Sequence, residues 1–400
     1  MAGATFAGAA TRGRLRGNAM HGTFHSFFQG GFECSTMRMP DGRRRDLVES
    51  TGHARHAARD FQALAELGIH TVRDGVRWHL IETQPRVYDW SSFLPQLDAA
   101  TRSGTQVIWD LCHYGWPDHL DIWAPCFPQA FARFAGKVAA MVRDHSHQPP
   151  LYCPINEISF WAWGGGEMGY IGPCAMGRGD ELKRQLARAS LAAMEVIRLV
   201  DARARFILAD PMIRVAPLAP ADNELAAGHN TAQYQGWDMI AGMACPELGG
   251  GPRYLDIIGV NFYPHNQWFL DGPTIARGDP DYTPMRDLLA RVYNRYRRPI
   301  LIAETGAEGA RRAGWLSYVC DEVAAAIEMG IPIEGICLYP VTDYPGWDDD
   351  RHCPTGLLGF PDELGHRAID LATAAELAAQ QRRFANLLQS SADSRLAAVR

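Results

Sequence analysis

Short apolar runs alternate with longer amphipathic stretches along most of the chain. The apolar runs predict strands at Phe24–Cys34, Thr71–Arg77, Gln106–Cys112, Leu151–Asn156, Arg205–Asp210, Leu255–Phe262, Pro299–Glu304 and Gly335–Tyr339. Between them the 3.6-residue period predicts helices over 46–67, 92–103, 128–145, 180–201, 232–244, 285–296, 315–329 and 373–389. In the fourth of these, Leu182, Leu186, Ala189, Ala193, Val196, Ile197 and Val200 make one stripe, with Lys183, Arg184, Arg188 and Arg198 largely off it.

Strict alternation of strand and helix demands a parallel sheet covered by helices. Eight such units over roughly 370 residues fit a closed (β/α)8 TIM barrel better than an open doubly wound sheet. The open sheet would want G-x-G-x-x-G after its first strand, and GGFECS at 30–35 does not supply it. No low-complexity linker divides the chain, so residues 21–400 read as one domain. Residues 1–20, rich in Gly, Ala and Arg, read as a disordered leader; a start site placed too far upstream is the other reading.

Composition narrows the function. Apolar residues make up 47% of the chain, enough for a sizeable core, and the formal charge of -6 argues against nucleic acid as the main partner. No run of about 18 apolar residues suggests a membrane span. The nine cysteines have no metal-type spacing and several sit in apolar runs. They read as buried free thiols of a reducing compartment, and the expected location is cytoplasmic. Oligomeric state is not readable.

The segments after the strands carry the chemistry: CHYGWPDHL, NEISFWAWGGG, NFYPHNQW, ETGAEG and YPVTDYPGWDDD. In a barrel these gather at the C-terminal face, where active sites form. They bring Trp116, Trp161, Trp163, Trp268 and Trp347 together with many polar groups, a combination suited to sugars. Glu157 ends the fourth strand and Glu304 the seventh, nearly opposite across the mouth. Two carboxyl groups across a small pocket are the minimum machinery for cleaving a glycosidic bond, provided their surroundings push their pKa values apart.

With these residues in view, the chain resembles the clan A glycoside hydrolases, and most of all glycoside hydrolase family 1. FFQGGFEC, TVRDGVRW, IWDLCHYGWPDHL, CPINEISF and PILIAETG resemble that family's segments of strands one, two, three, four and seven. Tyr339, Asp343 and Trp347 occupy the Trp-x-x-x-Asp-x-x-x-Trp frame of strand eight. The resemblance spans about residues 24–360. It implies Glu157 as acid/base, Glu304 as nucleophile, Asn156 on the sugar 2-hydroxyl, and Arg73 and Tyr263 beside Glu304. It also implies His113 as a donor to a hydroxyl, Tyr339 and Trp347 in the sugar wall, and Gln29 or Glu33 on the outer hydroxyls. Gly346 departs from the pattern, standing where the family keeps a sugar-binding Glu; Asp348, Asp349 or Asp350 could substitute.

The implied activity is a retaining exo-β-glycosidase acting on a terminal β-glucoside or β-galactoside, with a small carbohydrate as partner and no metal or organic cofactor. A transglycosylase with the same residues and a non-catalytic sugar-binding barrel are the alternatives. A metal-dependent barrel hydrolase would need several strand-end ligands, and only His113 and Asp210 qualify. HARHAARD at 53–60 reads as a solvated helix face rather than a metal face. DDD at 348–350 reads as an exposed loop or sugar contact. RVYNRYRRP at 291–299 reads as a solvated helix end.

Overall fold

The computed structural model describes residues 22–398; the expected leader over residues 1–20 lies outside them. Eight parallel strands close into a barrel: β1 Phe28–Gly31, β2 Thr71–Gly75, β3 Gln106–Asp110, β4 Leu151–Cys153, β5 Arg205–Pro211, β6 Ile257–Asn261, β7 Ile300–Thr305 and β8 Ile333–Leu338. Each strand pairs with its sequence neighbours, and β8 closes on β1 with Phe28 opposite Ile336 and Gly30 opposite Leu338. The outer layer is α1 His53–Glu66, α2 Leu94–Ser103, α3 Phe127–His145, α4 Gly179–Val200, α5 Gln235–Ala241, α6 Met285–Tyr296, α7 Arg312–Glu328 and α8 Leu371–Ala398. This is the (β/α)8 architecture that the alternation predicts.

Strand alternation divides the core in two. Ile108, Leu151, Cys153, Ile207, Ala209, Ile257, Leu301 and Ala303 face inward and pack as one cluster, with Phe24 among them. Their neighbours on the strands, such as Val72, Trp109, Tyr152, Phe206, Ile258 and Ile336, belong to the larger cluster between sheet and helices. The upper inward positions carry Arg73, Asp110 and Asn261 instead, all fully buried. A dry hydrocarbon plug thus supports a layer of polar groups, and that layer is the floor of the site.

Several expected boundaries move. The helix expected over 46–67 breaks at Gly52, whose φ of 75° needs a residue without Cβ, so a single turn at Leu47–Ser50 precedes α1. β4 is only three residues long, because Pro154 has no N–H to continue the ladder. Small elements that periodicity cannot reveal appear in the loops. Arg214–Ala216 pairs with Gln267–Phe269, flanking a helix at Asn223–Ala232, and Leu358–Pro361 pairs with Arg367–Ile369.

The HARHAARD segment is not a solvated face. His53 is fully buried, its Nδ1 2.7 Å from Asp60 of the same helix and its Nε2 3.0 Å from Asp74 of β2. Asp74 points outward from the barrel and also accepts from Gln96 of α2. Asp60 receives Arg367 from the C-terminal hairpin at 2.7 and 3.0 Å. Both ring nitrogens face carboxylates, so both must donate, and His53 is an imidazolium. Its ring stacks on Phe32 with centroids 3.6 Å apart. The expectation of a wet face failed because periodicity says which side of a helix is polar, not which polar group a neighbouring strand will meet. In the RVYNRYRRP segment, by contrast, Arg291, Asn294, Arg295 and Arg297 are exposed as expected, with Arg295 also paired to Asp238 at 2.6 Å.

Burial alone would lower the His53 pKa, but the two carboxylates outweigh it and raise it to about 9. A folded pKa above the unfolded value of about 6.5 gives stability that is full below that value and is lost as pH rises through about 9. Denaturant unfolding at pH 6 and pH 9.5 should therefore show wild type losing on the order of 3 kcal/mol more than His53→Gln over that interval. Equal losses in the two proteins would refute the charged histidine.

Candidate active site

Neither glutamate is aimed by regular strand geometry. In β7, Val260 of β6 pairs with Ile302 but Asn261 pairs with Glu304, and on the other side Ile336 pairs with Ile302 but Leu338 with Thr305. Ala303 is therefore an extra residue in β7. This bulge turns Glu304 to the inward face that simple alternation would deny it. Glu157 lies beyond the short β4, with φ 45° and ψ 61°, and its N–H donates to Ala209 of β5 at 2.9 Å. The left-handed conformation costs a non-glycine residue roughly 1–2 kcal/mol. The turn that follows is tied down by Asp210, which accepts from the Ser159 N–H at 3.0 Å and its hydroxyl at 2.7 Å.

The two carboxyl groups meet different partners. Glu304 is bonded by Arg73 Nη1 at 2.7 Å and by the Tyr263 hydroxyl at 2.8 Å. Glu157 is bonded by Asn261 Nδ2 at 2.7 Å and by the Tyr114 hydroxyl, and among the described residues no cation pairs with it. Burial pushes both pKa values up to about 7. For Glu304 the adjacent guanidinium pulls against burial and the Glu157 charge adds to it. Contact with Arg73 favours the ionised form of Glu304, whereas the side chains bonded to Glu157 are neutral donors.

Arg73 also fixes the rest of the floor. Its Nε and Nη2 donate to Asp110 at 2.8 and 2.7 Å, and Nη2 donates to Asn156 Oδ1 at 2.6 Å. A guanidinium only donates, so the Asn156 amide can face it only with its oxygen. Asn156 Nδ2 then points at His113 Nε2, 2.9 Å away, and at the Tyr114 hydroxyl, 3.1 Å away. His113 Nε2 must accept, so Nδ1 carries the proton toward Asp110 at 2.9 Å. One residue dictates the tautomer of another two contacts away.

This network revises several expectations. Arg73 and Tyr263 stand beside Glu304 as the resemblance implied. His113 lines the cavity, but both of its nitrogens are already engaged, so it cannot donate to a hydroxyl in this arrangement. Asn156 is buried, does not line the cavity and spends its amide on protein groups; its geometry is that of a positioning residue rather than a hydroxyl clamp. Gln29 is fully buried beside Cys337 of β8, lower in the barrel than the mouth, and cannot reach the cavity. Glu33 does line it. One of its oxygens accepts from the Ser35 N–H and hydroxyl, and among the described residues it has no ion-pair partner. Sequence reasoning missed Tyr114 and Asn261, although both lie within the quoted strand-end segments.

The cavity above this floor measures about 1930 Å³. Tyr339, Trp163, Trp268 and Trp347 line it, whereas Trp161 is buried and donates to Gly172 O at 2.7 Å. Tyr339 stands under the Arg73 guanidinium, 5.4 Å from it. A Cβ on Gly346 would meet only side chains, the nearest being the mobile end of exposed Asp349 at 2.7 Å. Asp348 and Asp349 line the cavity; Asp350 turns away to Arg45. Cys34, Asp110 and His113 form a buried group of ligand-type atoms within 4.8 Å of one another. Arg73 already supplies the positive charge at Asp110, which disfavours a metal ion there. Asp210 lies apart from this group, on Ser159.

No protein-family model matches the chain, and no curated protein matches it in sequence. Solved structures match in fold. A family 1 β-glucosidase from Thermotoga maritima superposes with a TM-score of 0.71 at 16% identity, covering 88% of this chain and 96% of that one. The β-glycosidase of Thermosphaera aggregans gives 0.71 at 16%, with 89% and 96% covered. A hyperthermophilic β-glucosidase mutant gives 0.72 at 15%, with 88% and 99% covered. The chain shares the fold of these barrels.

Removing the Tyr263 hydroxyl takes away a donor to the Glu304 carboxylate. In Tyr263→Phe the Glu304 pKa should rise by about 1, the equivalent of one hydrogen bond to a charged group. Carbon-13 titration of the glutamate carboxyls reads this directly; an unchanged or lowered value would remove Tyr263 from the site.

Proposed function

We propose that the protein is a retaining β-glycosidase in which Glu304 is the nucleophile and Glu157 the acid/base. The observation that carries this reading is the asymmetry of the pair: one carboxylate sits on an arginine, the other on neutral donors only, and both face one large cavity. The ionised Glu304 attacks the anomeric carbon while Glu157 gives its proton to the departing oxygen, and the C–O bond to the leaving group breaks. The ester that forms removes the Glu304 charge, so Glu157 can ionise. It then takes a proton from water as that water displaces Glu304. Arg73 and Tyr263 regain their charged partner when the ester is cleaved, which favours its release.

The fold shared with β-glucosidases supports a terminal β-linked sugar as substrate. Glucoside and galactoside remain the two candidates, because the carboxylate expected on the eighth-strand loop is Gly346 here. Glu33 is the carboxylate placed to receive sugar hydroxyls instead. No helix among the described residues is long and apolar enough to cross a membrane. All nine cysteines are free, six of them buried, in keeping with a reducing, cytoplasmic setting.

A panel of aryl β-glycosides tests the assignment. Wild type should turn over one or two of them, and Glu304→Ala should lose roughly 10⁴-fold or more in kcat. Glu157→Ala should lose about 10²- to 10⁴-fold on a poor leaving group and far less on dinitrophenol. Activity surviving Glu304→Ala would end the nucleophile assignment. Catalysis needs Glu304 ionised and Glu157 protonated. With both pKa values raised to about 7, the pH profile of kcat/KM should be a narrow bell near neutrality. A plateau from pH 5 to 9 would contradict it.

A further inference from the structure

The short helical turn Ile158–Trp161 starts at Glu157, which stands in the N-cap position. An N-cap side chain ordinarily folds back to accept from the N–H groups of the first turn. Glu157 does not, because its carboxyl points into the cavity and bonds Asn261 and Tyr114. The cap comes instead from the neighbouring strand. Asp210 of β5 accepts from the Ser159 N–H at 3.0 and 3.2 Å and from the Ser159 hydroxyl at 2.7 Å. Ala209, one residue earlier, accepts from the Glu157 N–H at 2.9 Å. Two consecutive residues of β5 thus grip the chain just before and just after the Glu157 side chain.

Burying Asp210 is unfavourable for stability. It is 2% exposed, and among the described residues no cation is paired with it. Lys183 of α4 lies nearby but donates to Gln235 at 2.7 Å. A Cβ on Gly236 would lie 2.6 Å from Asp210 Oδ2 and 3.1 Å from Ser159 Oγ, so α5 closes tightly over the pair. A buried carboxylate without a paired cation is a poor device for stability alone, and an amide or hydroxyl would cap the turn with a smaller desolvation penalty. Asp210 does not line the cavity, so it touches no substrate. What it touches is the turn that carries the proton donor. The left-handed backbone of Glu157, with φ 45°, persists only while its surroundings over-determine it.

We propose that Asp210 is a positioning residue for the acid/base: by capping the turn from β5 it holds Glu157 in its left-handed conformation and keeps the carboxyl seated against Asn261 and Tyr114. The catalytic consequence rests on the glycosidase reading above, whereas the seating of Glu157 is a property of the fold. Without the cap, the turn relaxes toward an ordinary N-cap, and the Glu157 side chain can fold back onto the freed N–H groups and out of the cavity. The loss falls on proton transfer, because Glu304 is held separately by Arg73 and Tyr263.

The test compares kcat/KM for methyl and dinitrophenyl β-glycosides of one glycone, since only the first needs a proton on its leaving group. Asp210→Ala should lose about 10²-fold on the methyl glycoside, the scale of a misplaced catalytic group. On the dinitrophenyl glycoside it should lose less than about threefold. Asp210→Asn, which can still accept from the Ser159 N–H, should recover to within about fivefold of wild type. Equal losses on both substrates, or none on either, would overturn the positioning role and leave the glycosidase reading intact. If Asp210→Ala does not fold, Ser159→Ala should show the same selectivity at about three- to tenfold, and an unselective or absent effect overturns the proposal in the same way. If no glycoside is cleaved, that reading fails separately, and carbon-13 titration of Glu157 decides. Its pKa, raised to about 7 by burial, should fall toward the ordinary carboxyl range in Asp210→Ala and less in Asp210→Asn. An unchanged value in Asp210→Ala overturns the seating.

Discussion

The Arg73 guanidinium organises the mouth of this barrel. It is fully buried, and its donors reach Asp110, Glu304, Asn156 and the Ala303 carbonyl. A buried cation is tolerable only when its donors are satisfied and its charge is matched, and here two carboxylates do both. The consequences spread outward from that requirement. Asn156 is oriented by it, His113 takes its tautomer from Asn156, and Tyr114 accepts from the same amide while donating to Glu157. The two glutamates therefore differ because one shares the arginine and the other sees only the far end of its hydrogen-bond chain. Stability of the polar floor and ionisation of Glu304 rest on the same interaction.

Much of the architecture was legible in the sequence because it rests on periodicity. Strand and helix alternate in pattern as they do in space, and β2, β3, β5 and β6 lie within two or three residues of their predicted limits. The pair of glutamates facing the mouth was legible for a different reason: apolar strands that end in Glu, set among aromatic loops, are an unusual local composition. How those glutamates reach the mouth was not legible. Glu304 depends on an extra residue in β7, and Glu157 on a left-handed backbone after a strand cut short by Pro154. A bulge leaves no mark in hydrophobic pattern, since Ala303 is apolar whether paired or not.

The side-chain partners were legible only where a family motif carried them. Tyr114 and Asn261 went unrecognised because their roles depend on the turn taken by Glu157. His53 was misread because its partners are Asp60 on its own helix and Asp74 on β2, and Asp60 is held in turn by a hairpin near the other end of the chain. Gln29 was one of two residues that the family resemblance offered for the outer hydroxyls; its height in the barrel follows from a register that only pairing with β8 sets. Burial of polar groups is a property of the assembled layers, and sequence pattern reports one layer at a time.

The pairing of β1 with β8, reinforced by the clasp of Arg367 on Asp60, joins positions 307 residues apart. On a ribosome adding about 5–20 residues per second, the clasp must wait roughly 15–60 s after Asp60 emerges. Throughout that interval β1 has a free edge and the inward polar layer has no roof. The nascent barrel is an open sheet with a buried-type arginine exposed at its rim, a species that invites edge-to-edge association. Closure of β1 on β8 thus waits for the last part of the chain, and a truncation that removes the C-terminal hairpin takes away the Arg367 clasp on Asp60.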